Sequence, residues 1–131
     1  MTAPIDQEKT GLGNYFIANY PPFSAWNTSY IPKALEALNS TPKPGTPLGL
    51  YLHIPFCRKR CKFCYFRVYT DKNAREIETY LDALIQEVTL LSQSPVVNQR
   101  PLHYVYFGGG TPSYLSAQQL RDLMTRLREI F

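Results

Sequence analysis

Apolar residues follow two rhythms along this chain, and their alternation predicts its elements. Residues 48–54 (LGLYLHI) and 102–107 (LHYVYF) are short apolar runs bounded by proline or glycine, as buried strands are. Between them, Ile77, Leu81, Leu84, Val88 and Leu91 recur at spacings of four, three, four and three. That pattern gives a helix of about twenty residues one apolar face. Asn73 and Glu76 form a capping pair at its start, and Pro95 ends it. Ser116 and Gln119 open a last helix, with Leu120, Leu123, Met124 and Leu127 on one face. Pro32 starts a short helix through about Leu38.

The order strand, loop, helix occurs twice, so the two strands are predicted to run parallel, joined by a crossover helix. A parallel sheet needs helical cover on both faces, and two strands are too few to finish one. The expected class is α/β: a partial (β/α) barrel with its first two βα units present, cut short and without activity of its own. An irregular segment precedes it. Residues 1–13 read as a polar tail. Residues 14–30 are aromatic and broken by Pro21-Pro22, and Tyr20-Pro21-Pro22-Phe23 is read as cover for the barrel. Residues 40–47, with three prolines and Gly45, exclude helix and central strand and serve as linker. The expected division is 1–46 for this segment and 47–131 for the barrel portion.

Composition narrows the setting. With 131 residues, 44% hydrophobic and 18% charged, the chain suits one ordinary globular domain. The net charge of +4 comes without a basic stripe, so no nucleic-acid partner is expected. No apolar run is long enough to span a membrane, and the N-terminus has no basic start followed by an apolar stretch. The three cysteines are odd in number and lie within eight residues, which fits a reducing cytoplasm better than a disulfide framework.

Those cysteines follow the first strand as Cys57-x-x-x-Cys61-x-x-Cys64. Three thiolates on a four-iron, four-sulfur cluster leave the fourth iron open for a small chelating ligand, as an open coordination position does at a catalytic metal. Arg58, Lys59, Arg60 and Lys62 stand between the cysteines, where they would balance the cluster's negative charge or form a solvated loop surface. Zinc would need a fourth ligand, with only His53 at hand, and a redox pair of Cys61 and Cys64 leaves Cys57 unexplained. His53 itself is read as a hydrogen-bonded core residue rather than a base.

Gly108-Gly109-Gly110-Thr111-Pro112 forms the loop after the second strand, at the same sheet end as the cysteines. Glycines there let backbone N–H groups approach a ligand closely. The Gly-Lys-Ser/Thr ending of a phosphate-binding P-loop is absent.

Together, the run from Tyr51 to Cys64 (YLHIPFCRKRCKFC) and the glycine loop resemble the radical S-adenosylmethionine (SAM) proteins. More narrowly, they resemble the oxygen-independent coproporphyrinogen III oxidase family, which includes haem chaperones and methyltransferase-like members. The resemblance implies that Cys57, Cys61 and Cys64 hold the cluster and that SAM chelates the open iron. It places Tyr51 near SAM, Phe63 on the adenine, Gly108, Gly109 and Gly110 at the amino group, and Thr111 beside them. It assigns no catalytic residue. The implied activity is that of a radical SAM oxidoreductase: reductive cleavage of SAM to methionine and a 5′-deoxyadenosyl radical that takes hydrogen from a porphyrin or another small molecule. A flavodoxin or ferredoxin would supply the electron. A haem-binding chaperone without turnover is the alternative. After Cys64 the chain reads Tyr65-Phe66-Arg67. Coproporphyrinogen decarboxylases of the family carry a further cysteine two positions on, and many of its chaperones carry Asp-Phe. This chain has neither, and the substrate stays open.

Overall fold

The computed structural model of the chain describes residues 25–64 and 66–131. The chain divides into two compact units, Met1–Leu35 and Glu36–Phe131. In the first, a 3-10 turn spans Thr28–Tyr30, with the Asn27 side chain accepting from the Ser29 N–H at 2.9 Å. Helix α1, whose residues fall on both sides of that division, spans Ile31–Leu38 and starts one residue ahead of the proline expected to start it. The Tyr20-Pro21-Pro22-Phe23 segment and the polar tail lie outside the described residues.

In the second unit, β1 (Leu48–Ile54) runs parallel to β2 (Leu102–Gly109). Helix α2 (Ala74–Ser92) connects them, and α3 (Ala117–Ile130) follows a 3-10 turn at Pro112–Tyr114. The α/β order of two βα units is as expected. Both long helices start with the reciprocal cap foreseen: Asn73 with Glu76, and Ser116 with Gln119. Each cap satisfies two backbone donors that a helix start leaves unpaired.

Two expectations are corrected. The strands are buried on one face only: Leu52 and Ile54 are fully enclosed, while Tyr51, Tyr104 and Tyr106 stand open on the other. An aromatic run reads as apolar on both faces, but alternation sends its tyrosines to the uncovered side. In α2 the buried residues are Ile77, Leu81, Ile85 and Val88, whereas Leu84 is half-buried and Leu91 exposed. The apolar stripe is wide enough that either row fits the pattern; the position of the sheet decides between them.

The core joins Leu52, Ile54 and Phe56 to that α2 row and to Leu115, Leu123 and Leu127. Removing these side chains from water supplies the main stabilisation of the unit. The core ends at Phe56, directly beneath the cysteine loop.

Candidate functional site at the cysteine and glycine loops

The cysteine loop is closed at its base. Phe56 and Tyr69 form a parallel bridge, the Tyr69 N–H donates to the Pro55 carbonyl at 2.8 Å, and the Cys57 N–H donates to the Tyr69 carbonyl at 3.0 Å. Arg67 and Lys72 place their cationic groups 5.6 Å and 5.8 Å from the Tyr69 ring centre, within cation–π range. Tyr69 therefore seats the returning end of the loop, a role no local pattern announced. Within the loop, the Cys64 N–H donates to the Cys61 carbonyl at 3.1 Å, and the Arg60 guanidinium donates to the Cys64 carbonyl at 2.9 Å. Of the four basic residues between the cysteines, Arg60 thus clamps the loop. Arg58, Lys59 and Lys62 are exposed and make no hydrogen bond or ion pair to a described residue.

All three cysteines are free thiols, with Cys57 buried, Cys64 half-buried and Cys61 exposed. Among the described residues, no three His, Cys, Asp or Glu side chains converge as ligands of one ion do. Three free cysteine thiols on one loop are a donor set of the kind that iron–sulfur clusters take.

The glycine loop is fastened to the cysteine loop by backbone. The Gly110 N–H donates to the Ile54 carbonyl at 2.7 Å, and the Thr111 N–H donates to the Phe56 carbonyl at 2.8 Å. A Cβ on Gly110 would stand 2.7 Å from the Phe56 carbonyl oxygen and 2.8 Å from the Cys57 sulfur, so only glycine permits the approach. Gly108 and Gly109 belong to β2 instead of the loop, paired with His53 and Ile54. Gly109 has φ +102, a conformation that side chains avoid.

On the open sheet face, Tyr51 stacks on Tyr106 with ring centres 5.7 Å apart and shares a hydrogen bond of 3.0 Å with His53 Nδ1. Partial desolvation against its neighbours, and secondarily the charge of the neighbouring Tyr106, holds the Tyr51 phenol above the ordinary tyrosine range. It stays neutral and can donate at pH 7. His53 is therefore hydrogen-bonded as expected, but on the open face and half-buried rather than in the core. Phe63 points into solvent, 88% exposed. The structure thus brings Cys57, Gly110 and Thr111 together and sets Tyr51 on the adjoining face, while Phe63 stands apart.

Comparison with known proteins gives one consistent picture. A model of the Radical SAM superfamily matches residues 51–130. An oxygen-independent coproporphyrinogen III oxidase of Synechocystis sp. is 33% identical over 97% of this chain and 27% of its own length. An anaerobilin synthase of Escherichia coli O157:H7 is 46% identical over 72% of the chain and 21% of its own length. A heme chaperone of Mycobacterium tuberculosis is 39% identical over 74% of the chain and 25% of its own length. Among solved structures, the Escherichia coli coproporphyrinogen III oxidase, titled a radical SAM enzyme, superposes with a TM-score of 0.71 at 35% identity. That match covers 89% of this chain and 26% of the solved one. The chain therefore spans about a quarter of the length of the relatives it matches. Among the described residues, no helix is long and apolar enough to cross a membrane.

Proposed function

The chain belongs to the radical SAM superfamily, and we propose that the whole protein cleaves S-adenosylmethionine reductively at a four-iron, four-sulfur cluster held by Cys57, Cys61 and Cys64. The observation that carries this is the joining of the two loops: the glycine loop is hydrogen-bonded to the residues just before Cys57 and lies against its sulfur. When bound, the cluster supplies one electron to the cofactor's carbon–sulfur bond and opens radical chemistry on an organic substrate. The chain's own residues do the holding. Cys57 is the fixed, water-shielded ligand, while Cys61 and Cys64 sit on the turn clamped by Arg60. Gly108, Gly109 and Gly110 offer backbone to the amino group of SAM, with Thr111 beside them. By the family resemblance Tyr51, held by His53 on the adjoining face, would lie near SAM, and Phe63, exposed on the loop, would cover the adenine once the cofactor is bound.

The substrate class favoured by the named relatives is a porphyrin or related tetrapyrrole, with a small acidic redox protein, a flavodoxin or ferredoxin, as electron donor. Three free thiols on one loop suit a reducing compartment, the cytoplasm. The test is anaerobic reconstitution with iron and sulfide, followed by reduction in the presence of SAM. About four irons per chain are expected, and the full-length protein yields 5′-deoxyadenosine. A protein that stays colourless, or one that loads equally well with all three cysteines replaced by alanine, sinks the proposal.

The 39% identity to a heme chaperone favours one second reading, haem binding without turnover. The described histidines are both engaged, His53 with Tyr51 and His103 Nδ1 with the Leu48 N–H at 3.4 Å. Titration with haem separates the readings: a stable complex without SAM consumption supports the chaperone.

A further inference from the structure

We propose that Thr111 sets the reduction potential of the cluster by donating a hydrogen bond from its hydroxyl to the Cys57 thiolate; this rests on the cluster assignment above. Thr111 Oγ1 lies 3.4 Å from Cys57 Sγ, with the hydroxyl as donor. Both partners are fixed by backbone. Thr111 is bound through its N–H to Phe56, and Cys57 through its N–H to Tyr69. The absence of a side chain on Gly110 lets the loop close on the sulfur. The contact is therefore preorganised.

The three thiolates are not equivalent in this respect. Cys57 is only 8% exposed, so water solvates its sulfur poorly and a protein donor counts for more. Cys64 Sγ stands 3.9 Å from the Phe66 carbonyl, an acceptor that a ligating thiolate cannot use. Among the described residues, Cys57 alone of the three has a side-chain donor aimed at it. Reduction adds negative charge to the cluster and its sulfurs, and a donor to sulfur stabilises the reduced form and raises the potential. A hydroxyl has one proton to give and two lone pairs, so Thr111 can donate to Cys57 and still accept from a ligand's amino group.

The test is a redox titration of the reconstituted chain without SAM, followed by electron paramagnetic resonance, for the wild type, Thr111→Ser and Thr111→Val. At a fixed potential, Thr111→Val should lower the ratio of reduced to oxidised cluster about tenfold, a shift of about 59 mV for one electron. Thr111→Ser, which keeps the hydroxyl, should stay within about twofold of the wild type by the same logic. Resonance Raman spectra of the wild type should show an iron–thiolate stretch that moves on exchange into D2O, and Thr111→Val should weaken that movement. A wild type that takes up no cluster defeats the cluster assignment and this inference together. A loaded wild type with no deuterium-sensitive stretch, or a loaded Thr111→Val with unchanged potential, defeats the role of Thr111 alone.

Discussion

The Tyr80 hydroxyl donates to the His53 carbonyl at 2.7 Å, tying the second turn of α2 to the strand end that carries the cysteine loop. Its ring also meets Phe56 edge-on, with centres 5.2 Å apart. Tyr80→Phe keeps the ring and removes the bond, leaving a carbonyl short of a partner. Unfolding by urea should show a loss of about 1 kcal/mol. Equal midpoints for the two proteins would show that the bond contributes nothing.

Gly110 and Gly108 should respond differently to a methyl group. At Gly110 the new Cβ meets the Phe56 and Ile54 carbonyl oxygens and the Cys57 sulfur, none of which can turn away. At Gly108 it meets the rings of Tyr51 and Tyr106, which are half open to solvent and can swing out. Gly110→Ala is expected to cost about 1–3 kcal/mol as overpacking and to lower iron loading severalfold, with Gly108→Ala milder on both counts. Iron and sulfide assays beside denaturation curves check the order, and the reverse order contradicts the fastening of the two loops.

How much of this was legible in the sequence depends on the range of the contact. The caps at Asn73 and Ser116 are local, set by two side chains three residues apart, and both formed as read. The first strand was equally plain because Pro47 and Pro55 bound it. The end of β2 was not. Gly108 and Gly109 read as loop residues, yet they extend the strand, because pairing with His53 and Ile54 on β1 holds them there. The spacing of apolar residues selects Leu84 and leaves out Ile85, because only the placement of the sheet picks the buried row. The meeting of Thr111 and Cys57, 54 residues apart, and the Tyr69 closure of the loop carry no periodic signal. The first depends on two loops sharing one end of the sheet, the second on the cysteine loop folding back on its own start.

The start of α2 should be acid-sensitive through Glu76. The hydrogen bond from Lys72, then that from the Asn73 N–H, holds its carboxyl below the ordinary 4.5. A carboxyl depressed in the fold stabilises it above the unfolded value, and that contribution disappears as pH falls through the folded value. Denaturation midpoints should therefore fall on acidification below about pH 4.5, and Glu76→Gln should flatten that part of the profile. Parallel profiles for the two proteins would remove Glu76 from the acid response.

Two contacts between α2 and α3 should differ sharply in weight. Arg126 donates to Asp82 at 2.6 Å, but both side chains are substantially exposed, so Asp82→Asn should cost less than about 1 kcal/mol and matter less in high salt. Leu123 is 2% exposed within the core, so Leu123→Ala should cost about 2–5 kcal/mol through lost burial and the cavity left behind. Comparable losses for the two variants would mean that charge, rather than apolar packing, joins the helices.

Phe63 separates binding from stability. At 88% exposed between two cysteines, it gives up almost nothing on folding if truncated, so Phe63→Ala should change the unfolding free energy by no more than about 0.5 kcal/mol. In the proposed function this exposed ring is the surface that covers the adenine of SAM. Stacking of a base on an aromatic side chain is worth about 1–3 kcal/mol, so SAM should bind the reconstituted variant at least about fivefold more weakly. Calorimetric titration with SAM reads the affinity, and the denaturation curve reads the fold. A variant that melts early yet binds SAM as tightly as the wild type would make Phe63 a packing residue and leave the adenine to another surface.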